Sequence, residues 1–151
     1  MVQVTIEVRG LKELQHRMRM FPRQFDLAAN RTMEASLYAL QEKVPPYPPQ
    51  PTASRYIRTG TLGRTLGVSM RGGRVSRSEI WQVRKIGQGF EGRFGTALNY
   101  APYVIGGMQS GFMSQYWWRL DTVAGKAFGK IKQLWEAMAN ALARFLDGKG
   151  A

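Results

Sequence analysis

Five prolines fall within seven positions, at 45, 46, 48, 49 and 51. Each removes a backbone donor and fixes φ, so neither a helix nor a central strand can run through this stretch. It is expected to be extended, largely polyproline II, and solvated unless something covers it. A loop of this length inside a chain of 151 residues persists because it has a use. The text changes at Arg58, where Arg-Thr-Gly-Thr-Leu reads as a turn entering a strand with Leu62, Leu66 and Val68 on one face. The expectation is that residues 45–60 form an extended arm ordered by a neighbouring copy of the chain.

The flanks divide into helical and strand periods. Val2, Val4, Ile6 and Val8 alternate with Gln3, Thr5 and Glu7, the pattern of a half-buried strand. Leu11, Leu14, Met18 and Phe21 recur at helical spacing up to Pro22, which suits the first turn of a second helix. That helix carries Phe25, Ala29, Met33, Ser36 and Leu40 inward to about Lys43, with Arg23, Asn30, Arg31, Glu34, Gln41 and Glu42 toward solvent. After the arm, strands are expected at 61–70, 79–86 and 90–97, with a basic hairpin tip at 71–78. Gly92 and Gly95 suggest a bulge or a closely approaching backbone. Tyr100, Tyr103 and Val104 form a short packing element before a glycine-rich loop.

Helical spacing returns over 116–147. Leu120, Ala127, Leu134 and Ala141 make one series seven apart, Ala124, Ile131, Met138 and Phe145 a second, and Phe128, Trp135 and Leu142 widen the stripe. Tyr116, Trp117 and Trp118 cannot share one helix face, so at least one should meet a partner or cap the arm. The sum is an α+β fold over 1–151: a mainly antiparallel sheet packed by helices, an extended proline-rich arm, and a long C-terminal helix.

Composition narrows function by exclusion. A chain this long buries about 70% of its unfolded surface, and its apolar fraction of 44% suits a folded protein. No apolar run approaches the ~20 residues of a membrane span, and residues 1–10 lack a signal-peptide core. With no cysteine and one histidine, His16, thiolate chemistry and a Ser/His/Asp triad have no evident basis. The ten carboxylates show no metal-ligand spacing. No enzyme, cofactor, metal or small-molecule substrate is expected.

Charge points the other way. Net charge is +12, and between Arg55 and Arg93 nine basic residues stand against Glu79 and Glu91. Such clustering makes a field that a polyanion or an acidic surface feels over roughly 8 Å. Arg71, Arg74, Arg77, Arg84 and Lys85 are the candidates to face DNA phosphates or an acidic partner. A solvated loop tip fits Arg71, Arg74 and Arg77 equally well.

The run YPPQPTASRYIRTGTLGRTL, then NYAPYVIGG, then a tryptophan ahead of a long final helix, resembles the neck or tail-completion proteins of long-tailed bacteriophages and prophages. The resemblance spans residues 2–146 and rests on Arg58, Thr59, Gly60 and Leu62, and on Tyr100, Ala101, Tyr103, Val104 and Gly106. Ile105 stands where that family often has an acidic residue. The resemblance implies a non-catalytic subunit of a homo-oligomeric ring at the head–tail junction, of about 6 or 12 copies, surrounding the channel for genomic DNA. Its partners would be portal- or adaptor-side and tail-tube- or terminator-side proteins. The location would be the virion, after assembly in the host cytoplasm. The arm and loops would supply subunit contacts through Pro45, Pro46, Tyr47, Pro48, Pro49, Tyr56, Arg58, Tyr103, Gly106, Gly107 and Trp117. Exchange of the arm implies a subunit only weakly associated before assembly. A tail-terminator hexamer and a sequence-nonspecific nucleic-acid-binding protein are the alternatives.

Overall fold

The computed structural model describes residues 1–50, 58–87 and 89–148. Its elements run β1 (Val2–Val8), α1 (Lys12–Arg17), α2 (Pro22–Glu42), α3 (Thr61–Leu66), β2 (Ile80–Ile86), β3 (Gly89–Thr96), α4 (Ala101–Val104), α5 (Gly111–Ser114) and α6 (Leu120–Leu146). The strands form one antiparallel sheet in the order β1-β3-β2. The two long helices, α2 and α6, pack on each other and on the sheet. The expected α+β architecture is the one found.

Alternation along β1 sends Val2, Val4 and Ile6 toward the helices and leaves Gln3, Thr5 and Glu7 exposed. Pro22 occupies the first turn of α2, where its missing N–H costs nothing. One core cluster joins Leu37 and Leu40 of α2 to Leu62, Leu66, Phe94, Ile105, Leu120 and Val123. A second joins Met18, Phe25, Ala29 and Met33 to Phe90, Trp135, Met138 and Leu142. Trp135 donates its indole N–H to the buried Ser36 hydroxyl at 3.1 Å, fastening α6 to α2.

Three details differ from the sequence reading, and a fourth, the role of Gly92 and Gly95, resolves to one of its two expected readings. Residues 61–66 are helical, not the start of a strand. Leu62 and Leu66 are four apart, a spacing that puts two residues on one face in either period. Gly60, at φ +74°, turns the chain into the helix, and Gly67, at φ +75°, ends it. Only Val68 keeps a trace of pairing, as a bridge to Arg74 across the 71–73 tip.

The last helix begins at Leu120, four residues later than expected. Its buried stripe is Leu120, Val123, Ala127, Trp135, Met138 and Leu142, with Leu134 only half-buried and Ala141 and Phe145 exposed. A strict seven-residue repeat drifts around a straight helix by ~20° per heptad. Positions 120, 131 and 142, eleven apart, stay on the packed face instead. Phe128 is 67% exposed.

Gln41 is 1% exposed and turned inward. The strand carrying Gly92 and Gly95 pairs in unbroken register on both sides, with no bulge. The glycines serve close approach: a Cβ on Gly92 would lie 2.5 Å from Met33 Sδ, and one on Gly95 2.1 Å from Val2 O.

Candidate interaction surface

The first half of the proline-rich arm is seated on its own chain. Tyr47 donates its backbone N–H to Met70 O at 2.8 Å. Its hydroxyl accepts the Gly63 N–H at 2.7 Å. Its ring meets Trp117 edge-on, centroids 5.0 Å apart. Pro45 is half-buried and Pro46 stands beside Gly72, where a glycine Cβ would be 3.6 Å from its ring. Arg58 donates to the Pro48 carbonyl and lays its guanidinium over the Trp117 ring at 5.2 Å. Tyr47 and Trp117, expected to reach a neighbouring copy, are therefore committed within one chain, and Trp117 caps the arm. Pro49 is exposed; Tyr56 lies outside the described residues.

This anchoring builds a cleft of about 590 Å³. Its walls are Tyr47, Arg58 and Leu62 on one side and Tyr100, Val104, Phe112, Tyr116 and Trp117 on the other. The two short motifs, separated by nearly forty positions, thus meet across one hollow. Ile105 links the far wall to the fold: it is fully buried, and its carbonyl accepts the Leu120 N–H at 2.9 Å where α6 begins. Ser110 accepts the Met113 N–H and sets the start of α5, which carries Phe112.

The rim is rich in aromatic surface. Phe112 is 64% exposed, Tyr100 and Tyr116 are also exposed, and Tyr103, 56% exposed, lies outside the cleft lining. Tyr100 and Tyr103 were expected in a packing element, Tyr103 also as a subunit contact; both are exposed, and Ala101 and Ile105 are the residues buried here. Gly106 is buried, and a Cβ there would sit 2.7 Å from Pro102 Cα. It serves internal packing and not a subunit contact. Gly107 is exposed with open space around it. No periodic signal marks Phe112, and sequence reasoning missed it; Tyr116 belongs to the Tyr116–Trp118 run expected to send a ring to a partner or onto the arm.

The five expected DNA-facing cations lie elsewhere, in the 67–78 loop and on β2. Gln41 organises the loop by donating its side-chain amide to Leu66 O at 2.9 Å and Ser76 O at 2.8 Å. Arg74 stacks on Tyr38 at 3.9 Å, and Tyr38 lies 4.9 Å from Trp81. The Glu34 carboxylate accepts from Trp81 Nε1 at 3.1 Å and from Arg77 at 3.3 Å. A hydrogen bond with Tyr38 and the Glu34 charge raise the Arg77 pKa further above its ordinary value. Arg84 and Arg93 both donate to one oxygen of the buried Glu91, at 2.7 and 2.8 Å. That pairing, led by the Arg84 hydrogen bond, lowers the Glu91 carboxyl against the opposing effect of burial. Lys85 reaches Asp26 at 3.2 Å. Of the five expected DNA-facing cations, Arg74, Arg77, Arg84 and Lys85 are each engaged within the chain, and Arg71 stands exposed at the tip.

His16 is exposed beside Arg19. Among the described residues no group of three His, Asp or Glu side chains is placed to hold a metal ion. No helix of the described residues is long and apolar enough to cross a membrane. Comparison with protein-family models, with curated proteins and with solved structures returned no match.

Proposed function

We propose that the chain is a structural, non-catalytic subunit of a homo-oligomeric ring at the head–tail junction of a long-tailed phage, where it completes the neck around the DNA channel. The observation that carries this reading is the convergence of both resemblance motifs on a single aromatic cleft. Tyr100 and Tyr116 present amphipathic rings and Phe112 an apolar one at low entropic cost, the composition of a contact surface. Burial of such rings against an adjacent subunit supplies the area that a ring contact needs.

The pairing of the cations favours this over a binder of free DNA. Exposed arginines held by Glu34 and Glu91 give up part of the charge that phosphate neutralisation uses. They still present a positive wall to passing DNA without gripping it. A tail-terminator hexamer would employ the same cleft and differs in which tube end it caps.

Deletion of the gene in a producing phage tests the proposal. Filled heads and finished tails that fail to join are the expected products on a density gradient. Intact infectious particles would overturn it. Duplex DNA affinity separates the nucleic-acid reading: a true binder loses about 10³-fold or more between 50 and 200 mM salt.

A further inference from the structure

The sheet ends in two unfinished edges. β1 and β2 are its outer strands. Among the described residues, Val2–Val8 and Trp81–Ile86 make no backbone–backbone hydrogen bond other than those to β3. β1 is seven residues long and holds neither proline nor lysine. Such an edge templates strand addition unless it is covered. A groove of about 640 Å³ runs beside it, walled by Val4, Ile6 and Val8 and by Phe128, Ile131 and Trp135 of α6.

Register identifies the strand that fits. β3 pairs in step with both edges: Thr5 and Gln82 lie opposite Arg93, Ile6 and Val83 opposite Gly92, Glu7 and Arg84 opposite Glu91. Both edge strands run antiparallel to β3, so they run parallel to each other. A second copy placed alongside at the same level and in the same direction sets its β1 against the first copy's β2. Glu7, which holds Arg9 at 2.7 Å within the chain, then falls beside Arg84, which rests on Glu91 at 2.7 Å, on the charged face, and Ile6 beside Val83 on the face toward the helices. Opposite charges and β-branched apolar side chains are favourable neighbours in adjacent strands. Pairing β1 with β1 about Thr5 sets Glu7 against Gln3, and pairing β2 with β2 about Val83 sets Arg84 against Gln82. Neither matches charge.

We propose that the β1 edge of one copy pairs in parallel with the β2 edge of the next, so that one sheet continues from subunit to subunit. The contact is heterologous, and it propagates until rotation closes it into a ring. It rests on the ring reading above and adds to the aromatic rim a second surface through which neighbouring copies meet. Parallel pairing is slightly weaker per residue than antiparallel, so one such contact alone holds a neighbour weakly.

The chain has no cysteine, so disulfide trapping reports without background. Thr5 and Gln82 are both exposed, and adjacent strands sit about 4.8 Å apart, within the Cα span that a disulfide bridges. The variant carrying both Thr5→Cys and Gln82→Cys, oxidised at high concentration, should give a reducible ladder of covalent multimers on a non-reducing gel. Each single variant should stop at dimer or below. Adding Glu7→Lys should slow the laddering several-fold. Absence of a ladder from a double variant that still joins heads to tails overturns edge pairing and leaves the ring reading standing. Dimers from Thr5→Cys alone, with no ladder from the pair, also overturn it. Intact infectious particles after gene deletion, together with no ladder from the double variant, remove both readings.

Discussion

The hydroxyl of Tyr47 accepts the backbone N–H of Gly63 at 2.7 Å, tying the proline-rich arm to the first turn of α3. The bond uses a donor that a helix start leaves unsatisfied. It also needs Gly63, where a Cβ would lie 3.3 Å from the Tyr47 ring and 2.9 Å from Val68 O. Side chain and missing side chain fit each other, and the near wall of the cleft depends on both.

Tyr47→Phe removes the acceptor and leaves a part-buried N–H unpaired, an expected loss of about 1–2 kcal/mol. Tyr47→Ala also forfeits the contact with Trp117 and should lose about 3 kcal/mol. Urea unfolding checks both. At about 2–4 °C of Tm per kcal/mol for a chain of this size, the two variants are readily told apart.

Gln41 and Gly67 hold the basic loop together. A Cβ on Gly67 would stand 2.2 Å from Ser76 O, at a φ of +75° that L side chains rarely adopt. Gly67→Ala should cost about 3 kcal/mol or more, well beyond the ~1 kcal/mol of a Gly→Ala change at an unhindered left-handed position. Gln41→Leu leaves two carbonyls without their donor and should lose about 2 kcal/mol. Trypsin should cut at Arg71, Arg74 or Arg77 faster in Gln41→Leu than in the parent.

Stability should fall in acid through Glu91. Arg84 and Arg93 lower its carboxyl below the ordinary value of 4.5, so the folded state binds that proton less readily than the unfolded state. The stabilisation is complete above the unfolded pKa and disappears as pH drops through the lower, folded one. Unfolding free energy measured from pH 6 down to pH 3 should therefore decline for the parent. Glu91→Gln should start lower at pH 6 and show a shallower decline below pH 4.5.

Trp135 and Phe128 are seven apart on one helix and should behave oppositely. Trp135→Phe loses the bond to Ser36 and some packing, about 2 kcal/mol. Phe128→Ser should change the stability of the single chain by no more than ~0.5 kcal/mol. Thermal melts of the two variants decide whether the buried stripe lies where the structure puts it.

How much of this was legible beforehand follows from which interactions are local. The alternation of β1 and the inward series Phe25, Ala29, Met33, Ser36 and Leu40 are properties of neighbouring residues, and both were readable. Leu62 and Leu66 were not decidable, because a four-residue step satisfies strand and helix alike. The Gly60 and Gly67 turns settle it. Gln41 reads as solvent-facing by composition; its role depends on Leu66 and Ser76, more than twenty positions away. The cleft needed the fold as well. Its two motifs were visible as strings, but Phe112 joined them only through the placement of α5, and Tyr116 through the turn that follows it.

Electron microscopy of a phage particle that carries the chain, with the chain located in the density, decides whether it is a neck subunit as proposed. A closed ring of this chain at the head–tail junction is expected, with Tyr100, Phe112 and Tyr116 buried between subunits. Particles whose neck contains no copies of the chain, or copies that do not touch, would contradict it.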